Sequence, residues 1–132
     1  IVSAYEKGEP VLAYYWEPEW IMGMLDMTML EEPPYDPDRW GEGKDYGCAF
    51  PAARVHIGVN AKFAEKNPLV VEFLKKYETT LAQNNEALAY MQEQEASVDD
   101  AAIWFLKNFT DVWKGWLPKD VAGKVETALS GK

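Results

Sequence analysis

Pro10-Val11-Leu12-Ala13-Tyr14-Tyr15-Trp16-Glu17-Pro18-Glu19-Trp20 runs from an apolar, aromatic segment into a proline and out again. Residues 9 to 16 are rich in Val, Leu, Tyr and Trp and alternate poorly, as in a strand covered on both faces. The residue before a proline is pushed away from helix, so that strand should end near Trp16. Glu19 to Leu25 then reads as a short helix with Pro18 at its first turn. Met27-Thr28-Met29-Leu30 reads as a second short strand. Strand, helix and strand in succession make a parallel unit, and the expected fold class is α/β.

Outward from this unit, residues 31 to 53 read as irregular. Pro33, Pro34 and Pro37 come first, and Gly41, Gly43 and Gly47 come after them. A loop of this length inside a compact domain is usually functional or lies at a domain junction. Arg54-Val55-His56-Ile57-Gly58-Val59 is the clearest strand pattern, with Val55, Ile57 and Val59 on one face by period two. The remainder reads as helices. Asn60 caps one through Lys66, and Asn67-Pro68 opens another with an apolar stripe of Leu69, Val70, Phe73, Leu74 and Tyr77. Asn84 or Asn85 is the expected cap of a third helix. Ser97 with Asp100 resembles a capping box for a fourth, running through Asn108. A last helix spans Lys119 to Leu129 and ends at Gly131.

The 132 residues match one ordinary domain in length, and nearly half are hydrophobic. A net charge of -9 and a pI near 4.6 argue against a nucleic-acid partner, which would need a basic patch. No apolar run approaches the ~20 residues that span a bilayer, and no signal peptide is visible. The chain opens on Ile1, and Val2 to Lys7 reads as the last turn of a helix closed by Gly8. Together with the lone Cys48, this start leads to the expectation that the chain is a fragment of a longer protein.

No phosphate loop, short-spaced metal ligands or nucleophile elbow is present, so neither cofactor nor metal is expected. His56, the one histidine, reads as an ordinary strand residue, because no catalytic partner can be assigned to it. Glu17 and Glu19 match a glycosidase pair in residue type alone. Trp104, Phe105, Phe109, Trp113 and Trp116 read as core, since several recur at helical spacing. Tyr14 to Trp20 admits two readings: packed core, or one wall of a cage for a quaternary ammonium compound. Such a cation has no proton to donate, and the negative faces of aromatic rings suit it, at roughly 0.5–2 kcal/mol per contact. On a strand, Tyr14 and Trp16 would share one side and Tyr15 would face the other.

Several segments carry a family likeness. Tyr14-Tyr15-Trp16-Glu17-Pro18-Glu19-Trp20 after Gly8-Glu9-Pro10-Val11-Leu12 resembles the aromatic–Trp–x–Pro–x–Trp segment of the glycine betaine/proline betaine/choline substrate-binding proteins of ABC transporters. Leu25 to Pro33, Tyr46 to Pro51, Val55 to Pro68 and Ala101 to Asn108 resemble it in the same order. The resemblance implies a periplasmic-binding-protein-like (type II) fold, present here in part. Residues 1–52 would complete the second lobe. Residues 53–132 would hold the return crossing strand and helices of the first lobe.

By the same resemblance the protein is a solute-binding component of an ABC importer, not an enzyme. Its ligand would be glycine betaine, proline betaine or choline, and its partner a permease subunit. Its place would be extracytoplasmic, in the periplasm or anchored at the cell surface. Trp16 matches the cage tryptophan, Tyr14 and Tyr15 are candidate walls, and Trp20 matches the second tryptophan. Glu19 stands where the family often has histidine. An ionised carboxylate only accepts hydrogen bonds and would repel a betaine carboxylate, so either Glu19 points away or the ligand lacks a carboxylate. Cys48 would find its partner in the missing half, and the isolated fragment would self-associate through exposed apolar surface. A second reading, from a different class, is a self-contained protein-interaction or regulatory α/β domain with its aromatics in the core.

Overall fold

The computed structural model describes residues 1–131. Its elements are helical: α1 (Val2–Glu6), α2 (Trp20–Met24), α3 (Ala61–Lys66), α4 (Pro68–Lys76), α5 (Leu81–Gln94), α6 (Val98–Asn108), α7 (Thr110–Trp116) and α8 (Lys119–Ser130).

Local chemistry sets most of these boundaries. The Asn60 side chain accepts hydrogen bonds from the backbone N–H groups of Lys62 (2.9 Å) and Phe63 (3.4 Å), which otherwise lack partners at a helix start. Pro68 opens α4 at a position where its missing N–H costs nothing. Ser97 and Asp100 form a reciprocal capping box at α6. The third cap differs from expectation. Thr80, not Asn84 or Asn85, caps α5 through a capping box with Gln83. Asn85 lies inside the helix, buried, with its amide turned to another part of the chain.

The expected α/β class, a partial periplasmic-binding-protein-like (type II) fold with strands alternating with helices, is corrected. Among the described residues no segment is paired as a strand. Residues 9 to 16, 27 to 30 and 54 to 59 have the composition of strands but remain irregular. A strand is defined by ladder hydrogen bonds to a neighbour, and local preference cannot supply that neighbour. These segments are unpaired and largely uncovered: Leu12 is 82% exposed and Val55 93%.

The core lies in the second half of the chain. Trp113 and Trp116 of α7 and Ala122 of α8 are buried together, with Phe73, Phe105, Leu106 and Val125 packed around them. This matches the reading of Trp113 and Trp116 as core. The Trp113 indole N–H donates to the Leu106 carbonyl at 2.6 Å, so the buried ring leaves no donor unpaired. Phe105 stacks on Trp116, with centroids 6.2 Å apart. Tyr90 of α5 stacks on Trp104 of α6 at 5.0 Å, which joins the α5 layer to the core.

From the other half of the chain, α2 packs on α5, and Gly23 permits the approach. A Cβ at Gly23 would lie 2.4 Å from the Asn85 backbone oxygen and 2.9 Å from the Ala89 Cβ. Through this contact the segment before α2 is placed relative to the later helices.

Candidate functional site

Tyr14 and Trp16 sit in the irregular segment just ahead of α2. Their rings meet edge to face, with centroids 6.1 Å apart. Tyr14 also touches Phe50, at 5.3 Å. Phe50 meets Trp40 at 4.5 Å, and Trp40 meets Tyr46 at 5.2 Å and Tyr35 at 6.3 Å. Six rings from two separate segments thus form one continuous aromatic wall. Its outer members face solvent: Tyr14 is 63% and Trp16 67% exposed. The reading that put the aromatic run in a core therefore does not hold for these two residues.

The loop between Pro33 and Phe50 carries four of the rings and is braced internally. The Arg39 guanidinium donates from Nη2 to Asp45 Oδ2 at 2.9 Å and from Nε to Asp45 Oδ1 at 3.2 Å. The Gly47 N–H reaches Asp45 Oδ1 at 3.0 Å, and the Tyr46 N–H reaches the Arg39 carbonyl at 3.0 Å. A Cβ at Gly47 would lie 1.9 Å from Arg39 Nη2, so a side chain there would displace the guanidinium. Tyr46 adopts a positive φ of 53°, which turns the chain and aims its ring at Trp40. Cys48 is buried under this loop, with its sulfur 3.7 Å from the Asp36 carbonyl oxygen.

The Asp45 carboxyl is held down at about 2, from an ordinary 3.8, chiefly by the Arg39 hydrogen bond and next by the Gly47 N–H. A carboxylate whose value is lowered in the folded state stabilises that state fully above its ordinary pKa, and the effect fades as pH falls through the folded value. The loop brace is therefore expected to weaken between about pH 4 and pH 2. Near-UV circular dichroism of the aromatic wall should report this change, and Asp45→Asn should abolish the pH step. A wall signal that is flat from pH 5 to pH 2 in the unsubstituted protein would contradict the assignment. The pair is solvent-exposed, so salt should reduce its effect.

The other candidates lie differently. Tyr15 pairs with no ring among the described residues. Trp20 is the first residue of α2, half-buried and also without a ring partner. Glu19 is the N-cap residue of α2, and its backbone N–H donates to Asn85 Oδ1 at 2.9 Å. The same Asn85 amide donates from Nδ2 to Glu17 Oε1 at 2.6 Å. The Glu19 carboxylate has no hydrogen bond or ion pair among the described residues. Sequence reading missed Tyr35, Trp40, Tyr46, Phe50 and Asn85 as members of the site. The available signal was the set of aromatics inside a long Pro- and Gly-rich loop.

Exposed rings that meet edge to face present both ring faces and ring edges. Their faces are suited to a cation that donates no hydrogen bond. Among the described residues no group of three or more His, Cys, Asp or Glu side chains is placed to hold a metal ion.

Comparison with known proteins agrees in direction. Residues 1–108 match the family described as "Substrate binding domain of ABC-type glycine betaine transport system". The chain is similar to the glycine betaine/proline betaine-binding periplasmic protein of Escherichia coli (strain K12). The two are 28% identical over 137 residues, covering 93% of this chain and 41% of that protein. It is also similar to the trimethylamine N-oxide-binding protein of Pelagibacter ubique (strain HTCC1062). That pair is 26% identical over 117 residues, covering 86% of this chain and 36% of the other. The chain thus spans about two fifths of the length of these relatives. With the family match extending over most of its length, the chain belongs to the substrate-binding domains of ABC-type glycine betaine transport systems.

Proposed function

We propose that the protein is the solute-binding component of an ABC importer for quaternary ammonium compatible solutes, with Tyr14 and Trp16 forming part of the ligand's aromatic wall. The observation that carries this reading is the continuous ring set from Trp16 through Tyr14 and Phe50 to Trp40, exposed at Trp16, Tyr14 and Phe50. Family membership and the names of the relatives support the ligand class, the permease partner and an extracytoplasmic place. The ligand is bound and released without covalent chemistry. Tyr15, Glu19 and Trp20 border the wall and tune the ligand in this reading. Residues 1–52 belong to one lobe of the whole protein and residues 53–132 to the other, so the two Asn85 bonds cross between them.

Calorimetric titration with choline, glycine betaine and proline betaine tests the reading. Trp16→Ala should weaken the binding of each by roughly two- to thirtyfold, the equivalent of one lost cation–π contact. Trp16 is exposed, so the substitution should leave the melting temperature nearly unchanged. Unchanged affinity in a folded Trp16→Ala protein would sink the assignment. A preference for choline over the two betaines would favour a Glu19 carboxylate that faces the ligand.

A further inference from the structure

We propose that Asn85 is the positioning residue of the aromatic wall, anchoring it to α5 through one bond on each side of Pro18; its importance for ligand binding rests on the function proposed above. Backbone hydrogen bonds do not hold the wall segment. Among the described residues, none involves the main chain of residues 11 to 16. The hold comes instead from the residues just after Trp16. Glu17 is fixed through its carboxylate and Glu19 through its backbone N–H, both by the one Asn85 side chain.

The residue type fits the task. The two groups to be held are an acceptor, the Glu17 carboxylate, and a donor, the Glu19 N–H. A short amide offers one donor end and one acceptor end, and these partners fix which way it points. Asn85 is 5% exposed, and a buried amide is tolerated where its polar atoms find partners. Its main chain serves the same contact, because its backbone oxygen fills the space that a side chain at Gly23 would need. Asn85 therefore holds the turn before α2 with its side chain and sets the approach of α2 with its backbone.

The test exchanges the two partners. Asn85→Asp keeps the acceptor for the Glu19 N–H but sets a second carboxylate against that of Glu17. Adding Glu17→Gln restores a donor and acceptor in reversed order. In two-dimensional NMR, the ring-to-ring cross-peaks between Tyr14 and Phe50 should fade in Asn85→Asp and return in the double variant. Affinity for tetramethylammonium, used as the probe, should fall about tenfold in Asn85→Asp and recover in the double variant. Cross-peaks between Phe105 and Trp116 in the core should hold in both variants, which separates loss of the anchor from loss of the fold. Glu17→Ala, an exposed change that spares the core, should also weaken the cross-peaks, and it serves if Asn85→Asp fails to fold. Unchanged cross-peaks in folded Asn85→Asp or in Glu17→Ala overturn the proposal, as does a double variant without recovery. If cross-peaks respond to the substitutions while tetramethylammonium fails to bind even the unsubstituted protein, the anchor is supported and the ligand reading alone is overturned.

Discussion

Trp113→Ala is expected to destabilise the protein by about 3–5 kcal/mol, the range for truncating a large aromatic in a core. Trp113 is 1% exposed and sits at the centre of the α7–α8 cluster. Its removal leaves a cavity in the cluster that Phe73, Phe105, Leu106 and Val125 surround, and such cavities close only in part. It also strips the Leu106 carbonyl of its indole donor, leaving a polar group to find another partner or go unpaired. Domain stabilities are about 5–15 kcal/mol, so this one change removes a large fraction of the total. Urea denaturation followed by far-UV circular dichroism should show the midpoint fall. A loss below about 1 kcal/mol would mean that the cluster is not the core.

Gly23→Ala should destabilise by about 1–3 kcal/mol, the usual cost of overpacking a close contact. Helix propensity points the other way, since alanine is favoured over glycine by about 1 kcal/mol in a helix interior. The geometry decides between them. The added carbon would lie 2.4 Å from the Asn85 carbonyl oxygen and 2.7 Å from its carbonyl carbon. Both atoms belong to the backbone of α5, which cannot rotate aside as a side chain would. In addition, α2 spans only Trp20 to Met24 and gains little from propensity. Helix α2 must therefore retreat, loosening the Asn85 bonds to Glu17 and Glu19. Thermal melting should show a lower midpoint, and Gly23→Val a larger drop. An equal or raised melting temperature for Gly23→Ala would show that α2 docks less closely than described.

The helices were legible in the sequence because their boundaries are local. Asn60, Pro68 and the Ser97–Asp100 pair each satisfy or remove donors within three residues of themselves. Asn84 or Asn85 looked like another such cap, but Thr80 holds that role and Asn85 is spent on contacts with residues 17 and 19. The strand reading failed for a related reason. Val55, Ile57 and Val59 favour extended backbone, but pairing depends on a neighbour that the segment itself does not specify. Family membership was readable in the Trp16-Glu17-Pro18-Glu19-Trp20 spacing and the segments that follow it in order. The wall beyond Tyr14 and Trp16 was not. Phe50 reaches Tyr14, and Trp40 reaches Phe50, from a loop that holds the Arg39–Asp45 brace and the positive φ of Tyr46.

The Asn85 anchor also carries a consequence for synthesis in the cell. Glu19 and Asn85 are 66 positions apart. At roughly 5–20 residues per second, a ribosome needs roughly 3–13 s to make Asn85 after Glu19. Through that interval Tyr14, Tyr15 and Trp16 emerge as an unanchored aromatic run, the kind of segment that promotes association between nascent chains. The residues directly after the run are Glu17, Pro18 and Glu19. Flanking charges and proline act as gatekeepers against β-type aggregation. Glu17, Pro18 and Glu19 are residues of that kind, and all three are translated before Asn85.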